Sequence, residues 1–291
     1  MRARVALLIA AVAVVGIVTP VAPGGAPMGP PMSTLDKGQW SVGLDYGREE
    51  ADLDASGTRI SRFGIESSDT QAFTLNDIQS NMFFVNFAYG LWEDWDLFVR
   101  LGAADAKDDV TARGNSPAFL DEPVSFDGSY GFAGGLGTRA TFGRPGPWRL
   151  GALLQATWFD PGDYDIPPAG ILGPESYLLA GGRVNLEYWQ VQFSLSALYE
   201  TGAWHFWVGP LLQVTGGDLS LTKTYVGGLA GTGGQISCTA DLDDDLHVGA
   251  HFGAAWDVTT AWGLWAEGQI TDDLWLMGIG AAFTPGKASQ P

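Results

Sequence analysis

Ser80–Ala104, SNMFFVNFAYGLWEDWDLFVRLGAA, decides the fold. Phe83, Val85, Phe87 and Tyr89 alternate with Asn86 and Ala88, and on the return Leu97, Val99, Leu101 and Ala103 alternate with Asp96, Arg100 and Gly102. A period of two places these sets on opposite faces of a strand, so the stretch is a hairpin with one apolar and one polar face. Its turn, Leu91–Trp95, carries Trp92 and Trp95 beside Glu93 and Asp94, not the Asn-Gly pair of a short soluble hairpin. An aromatic and acidic turn suits a membrane interface.

The pattern recurs outward from this hairpin. Apolar alternation runs through Trp40–Tyr46, Tyr130–Phe142, Trp148–Trp158, Leu178–Tyr188, Val191–Tyr199, Trp204–Val214, Val248–Trp256, Trp262–Ile270 and Trp275–Phe283, with a weaker segment at Asp218–Val226. This counts about 12 strands, and about 10 without the weak one, since such barrels keep even numbers. A strand of about 10 residues at ~3.3 Å each, tilted ~40°, rises about 25 Å, the height of an outer-membrane apolar band. The outward face has no charge in the strand middles, while the inward face carries Arg100, Arg139, Arg149, Arg183, Glu187, Glu200, His247, His251 and Glu267. A charge on lipid would cost about 2 to 4 kcal/mol at the midplane, which fixes the facing. Aromatics close the strand ends as interfacial girdles: Trp40, Tyr89, Trp92, Trp95, Trp148, Trp158, Tyr188, Trp204, Trp256, Trp262, Trp275 and Phe283.

The hairpin, with its Tyr-Gly-Leu, acidic-aromatic turn and Trp-Asp-Leu-Phe-Val-Arg-Leu-Gly, resembles the β-barrel domain of small bacterial outer-membrane proteins of the OmpA-like or porin-like kind. The resemblance implies an all-β chain in one antiparallel up-and-down transmembrane barrel. It implies outer-membrane lipid and lipopolysaccharide around the barrel and the barrel-assembly machinery as a partner, with Phe283 as the terminal aromatic of the assembly signal. Long polar connections at Gly47–Asp77, Asp105–Gly128 and Gly227–Asp245 alternate with short ones, which predicts extracellular loops and periplasmic turns, with both termini in the periplasm.

The domain reading is 1–24 signal peptide, 25–37 tether, 38–283 barrel and 284–291 tail. Arg2 and Arg4 precede a 14-residue apolar run, Val5–Val18, shorter than a membrane-spanning helix and consistent with a cleaved leader. Ala22 and Gly24 suit cleavage after Gly24. The leader holds two of the 15 basic residues and no acidic one, leaving 13 against 33 and a net charge of −20, which repels nucleic acid. Cys238 is the single cysteine, so no internal disulfide forms.

Candidate chemistry is sparse. His247 and His251 face inward with Asp257, and His205 is a further inward candidate, yet four strand positions span about 13 Å, too far to share one ion. Ser194 and Ser196 offer hydroxyls without a nucleophile elbow. Asp241, Asp243, Asp244 and Asp245 are acidic enough for Ca²⁺ but lack the glycine and terminal glutamate of an EF-hand loop. The glycines of Val226–Gln235 lack the lysine of a phosphate loop. The expectation is a non-enzymatic, structural or porin-like barrel with a narrow polar lumen for small polar solutes and no cofactor or metal. Inward Gly131, Gly135, Gly151, Gly181 and Gly253 remove filling volume and favour a small pore. The alternatives are a lipid-modifying hydrolase, from the inward serines and histidines, and a loop-mediated surface adhesin, from the acidic loops.

Overall fold

The computed structural model describes residues 25–113, 124–172, 177–227, 233–242, 246–272 and 274–286. The leader, Asp243–Asp245, the middle of the glycine stretch and most of the tail lie outside these. The strands are β1 Trp40–Phe63, β2 Ile65–Trp92, β3 Trp95–Ala104, β4 Lys107–Arg113, β5 Val124–Asp127, β6 Gly131–Gly143, β7 Trp148–Asp160, β8 Tyr164–Ile166, β9 Ala169–Leu172, β10 Tyr177–Thr201, β11 Trp204–Gly227, β12 Gly234–Leu242, β13 Leu246–Asp257, β14 Trp262–Thr271 and β15 Leu274–Phe283.

Ten of them close a ring in which every neighbour is antiparallel: β1, β2, β3, β6, β7, β10, β11, β13, β14 and β15, with β15 returning to β1. The remaining seams are β7 with β10, β10 with β11, β11 with β13, and β13 through β14 to β15. Ten is the lower of the two counts that the alternation allows. Leu178–Tyr188 and Val191–Tyr199 form one strand of 25 residues, and Trp204–Val214 with Asp218–Val226 form one of 24.

The reason is a reversal of polarity along each long strand. On β10 the outward positions read Arg183, Asn185, Glu187 and then Trp189, Val191, Phe193, Leu195; the inward ones read Val184, Leu186, Tyr188 and then Gln190, Gln192, Ser194, Ser196. The facing never changes at Trp189, but the solvent does. Below Trp189 the outside is lipid; above it the outside is water. On β1 the outward series passes from Trp40, Val42 and Leu44 to Arg48, Asp52 and Asp54, while the inward one passes from Ser41 and Asp45 to Leu53 and Ala55. From Trp148 to Trp158, and from Trp189 to Tyr199, ten residue steps cover about 25 Å at strand rise and barrel tilt, one apolar band.

Three polar stretches expected as loops therefore contain strand. Gly47–Asp77 forms the upper parts of β1 and β2, joined at Gly64, whose φ of +80° a glycine accommodates readily. Asp105–Gly128 contains β4 and β5, and Gly227–Asp245 contains β12. Together they build a head above the band. The hairpin β14–β15 is short, and above it β12 pairs directly with both β11 and β1, so one strand closes what three close below. The head has its own apolar core, including Leu53, Phe73, Leu75, Leu186, Leu219, Leu221, Ile236 and Cys238. Burial there pushes the Cys238 thiol up to about 11.

The opposite end has the tight turns. Asp94 takes a φ of +65° between the tryptophans of the opening hairpin, whose rings lie 5.2 Å apart. Gly38 donates to the Gly90 carbonyl at 2.8 Å and Thr284 to that of Ala261 at 2.8 Å, so both ends of the barrel chain lie at this rim.

The inversion predicts opposite outcomes for one substitution at two outward positions of β1. Leu44→Arg, within the band, costs about 2 to 4 kcal/mol in denaturant unfolding from bilayers, whereas Thr58→Arg, in the head, stays within about 0.5 kcal/mol.

Candidate functional site

The lumen is the candidate site, and it is occupied by the chain itself. Residues 25–36, read from sequence as a loose tether, run up from the turn rim inside the barrel as a strap: Ala26 is 0% exposed, Met28 3% and Met32 1%. The segment is rich in glycine and proline and forms no helix or strand, so its backbone groups need partners from the wall. The wall supplies them. Ala26 N–H donates to Gln190 Oε1 at 3.0 Å, Met28 N–H to Glu267 Oε1 at 2.7 Å and Gly29 N–H to Glu267 Oε2 at 2.7 Å. Arg100 Nη1 donates to the Pro27 carbonyl at 2.6 Å, and the Ala26 carbonyl accepts from Gln155 at 3.2 Å and Gln269 at 3.1 Å.

Three inward glycines make room for this strap, and of the five expected to open a pore only Gly151 is among them. A Cβ on Gly47 would meet Pro27 Cγ at 2.5 Å, one on Gly151 Met32 Sδ at 2.4 Å, and one on Gly278 Pro27 Cβ at 3.2 Å. Met28 and Leu35 pack with Ala88, Phe98, Leu153 and Leu211, and Met32 with Leu198 and Trp207.

The predicted lumen residues divide. Arg100, Arg139, Arg149, Glu200, His247, His251 and Glu267 point inward. Arg100 is 2% exposed, stacks over Phe84 and Phe98 at 5.0 and 5.4 Å, and faces Asp45 and Glu267. Arg139 pairs with Asp96 at 2.9 Å, and Asp96 also accepts the Thr34 N–H at 2.9 Å. Near the turn rim Arg149 pairs with Glu200 at 2.7 Å, and His205 sits between Glu200 and Asp257 at 3.5 and 3.2 Å. Arg183 and Glu187 do not line the lumen: they stand outside the head, where Arg183 reaches Asp163 and Asp165 at 3.2 and 3.1 Å. They sit above the polarity reversal, where outward positions are the polar ones. For the same reason Tyr188 is no girdle residue; it is buried in the head core at 4% exposure, and Trp189 holds the interface.

Five glutamines were not singled out by sequence reasoning. Gln192 links Gln155, Gln213 and Gln269 at 2.6, 3.0 and 2.7 Å, and Gln190 joins through the strap. Their signal was present as glutamine at inward positions of otherwise apolar strands. Below them Ser194 Oγ lies 3.2 Å from His251 Nδ1 and 2.7 Å from Ser196 Oγ, and His251 Nε2 lies 3.0 Å from Glu267 and 3.1 Å from the Trp207 indole nitrogen. One ring nitrogen cannot donate to Glu267 and accept from Trp207 in the same tautomer. His247 instead meets Asp272 at 3.3 Å. Among the described residues no three His, Cys, Asp or Glu side chains gather as metal ligands.

A closed antiparallel ring of even strand number, polar inside, with an apolar outer band between aromatic girdles, is the architecture of an outer-membrane β-barrel. No protein-family model matches the chain, and no curated protein matches its sequence. Among solved structures it is similar to the outer-membrane protein OprG from Pseudomonas aeruginosa, at 13% identity and TM-score 0.41 over 85% of this chain and 97% of that one. It is also similar to the outer-membrane protease OmpT from Escherichia coli, at 10% identity and TM-score 0.38 over 84% and 94%. The toluene transporter TbuX from Ralstonia pickettii matches at 10% and 0.38 over 90% and 95%.

Arg100→Ala removes the donor to Pro27 and leaves Asp45 without its facing cation, which costs about 3 to 5 kcal/mol in unfolding free energy. Arg183→Ala, on the exposed outer surface, changes it by less than about 1 kcal/mol.

Proposed function

We propose that the protein is an integral outer-membrane β-barrel of structural kind, exported by a cleaved leader, whose barrel anchors a folded head above the lipid and conducts no solute in this form. The observation that carries this is the strap. It fills the polar half of the lumen and takes up the polar groups that would otherwise line a path. Above it, the apolar core of the head fills the rest, with Tyr188, Leu186, Leu219 and Leu221 next along the inward faces of β10 and β11. The narrow polar path expected from inward Arg and Glu does not fit this arrangement, because those charges meet one another or the strap. Lipopolysaccharide and lipid surround the outer band, and the assembly machinery reads the last strand ending at Phe283.

A second reading, a hydrolase, is favoured by the contacts of Ser194 with His251 and of His251 with Glu267. All three side chains are buried beside the strap, so a substrate reaches them only if the strap leaves. Hydrolysis of ester lipids by the wild type that Ser194→Ala abolishes would establish it.

The test of the structural reading is single-channel recording from the mature protein in planar bilayers. The expected trace has no openings while the barrel is shown to be folded. A steady, ion-selective conductance that Arg139→Ala alters would overturn it.

A further inference from the structure

Among the described residues, Arg48 is the one basic side chain on the outer face between the two girdles. It stands exposed on β1, opposite Met277 of β15 and Asn81 of β2, one outward position below the row of Trp275 at the upper edge of the apolar band. Its guanidinium donates to Gln79 Oε1 at 3.2 Å, a neutral partner, and it makes no ion pair among the described residues. With that oxygen taken, the Gln79 amide nitrogen is left to donate. Across Gln79, on β4, stands exposed Lys107, which meets Asp127 at 2.7 Å in open water. Arg48, Gln79 and Lys107 thus place donors on three neighbouring strands. The acids of this face are Glu50, half-buried opposite Gln79, and Asp105, which is buried and held by Asn81. Asn81 also accepts from the Tyr46 hydroxyl at 2.9 Å. Beside and beneath the donors the rings of Tyr46, Phe83 and Tyr130 follow one another at 4.8 and 5.9 Å, and Phe83 and Met277 are 50% and 65% exposed.

We propose that this patch is a seat for one phosphate-bearing lipid of the outer leaflet. Arg48, Gln79 and Lys107 hold its headgroup phosphate, and its acyl chains lie along Tyr46, Phe83, Tyr130 and Met277. The charge complementarity is local. The mature chain is strongly acidic and so is the ligand, so the general field repels, and a site must be built where cations stand without nearby carboxylates to neutralise them. Arg48 meets that condition. Guanidinium matches a phosphate with two parallel hydrogen bonds, and a charge at the edge of the band reaches the headgroups along its own apolar stem. Lys107 joins from the row above. The β1 and β4 backbones lie two strand spacings apart, about 10 Å, a gap that two long side chains close from either side. A phosphate monoester brings a charge of about −1.5 to −2 against the single charge of Asp127, and the Lys107 ion pair, open to water, is weak enough to yield. The site is continuous with the lipid-facing band but singles out one place on it, as distinct from the lipid that surrounds the whole barrel. It rests on the barrel standing in the outer membrane with its head outward, and not on whether the lumen conducts.

The experiment is native mass spectrometry of the folded protein in detergent, titrated with diphosphorylated lipid A, with the same lipid freed of phosphate, and with inorganic phosphate. The wild type is expected to retain one phosphorylated lipid and to release the phosphate-free one. Arg48→Gln together with Lys107→Gln is expected to weaken retention by about tenfold or more, the loss of charge-assisted hydrogen bonds to one group, whereas Arg183→Gln, outside the patch, leaves it unchanged. Equal retention of the phosphate-free lipid overturns the proposal, a result that needs no variant to fold. So does undiminished binding by the double variant. Displacement of the lipid by inorganic phosphate at equal phosphate concentration would make the patch a site for the free anion and overturn it as a lipid seat. None of these results bears on the silence expected of the barrel in planar bilayers, so the two readings fail separately.

Discussion

A polar surface that faces inward in a membrane barrel must be satisfied, by water or by protein. The rest of this structure follows from that constraint. Lipid outside the band forces the polar side chains of ten strands into a narrow lumen, where amide, carboxylate and guanidinium groups crowd within hydrogen-bonding reach. The strap answers them with backbone. Glu267 illustrates the economy of this arrangement, since its two oxygens accept from successive amides, Met28 and Gly29, and so fix the segment against β14. Small inward residues on the wall, Gly47, Gly151 and Gly278, are the other half of the fit. Packing and hydrogen bonding thus act on the same twelve residues.

The same constraint, applied above the lipid, yields the head. Once the outside of a strand is water, its outward positions carry charge and its inward positions the apolar groups. The alternation continues without a break in facing along β11 and past Tyr188 and Trp189 on β10, whose own irregularity lies higher, at Leu179–Gly181, while opposite Ala51–Leu53 of β1 the extra residue of a bulge falls on β2, at the level where the inward face turns apolar. The short hairpin β14–β15 ends at this level, and β12 takes over its place in the wall. The result is one sheet with two interiors, a polar one holding a strap and an apolar one packed like a soluble core.

Much of the barrel was legible in the sequence because its strongest signal, apolar alternation bounded by aromatics, is what lipid demands. The hairpin of Phe83 to Leu101, the inward placement of Arg100, Arg139 and Glu267, and the girdle at Trp92 and Trp95 all follow from it. The errors share one cause. A change of solvent inverts which face is apolar, and on β10 that inversion at Tyr188 and Trp189 mimics a turn. It splits one strand into two, turns Arg183 and Glu187 inward, and places Tyr188 in a girdle. The upper parts of β1 and β2 escaped because Leu53, Ala55, Phe73 and Leu75 alternate with acids and hydroxyls, which read as loop when lipid is taken to lie outside. The strap was illegible for a different reason. Gly25–Pro31 has the composition of a linker and no periodicity, and its order comes wholly from partners far away in the chain, as with Ala26 and Gln269.

Hydrogen exchange of the folded protein in lipid tests the central claim, that the amino-terminal segment is an integral part of the lumen. The amides of Ala26, Met28 and Gly29 are predicted to exchange as slowly as those of the strands that hold them. Exchange of these amides at the rate of a free peptide, with the strands still protected, would contradict the account.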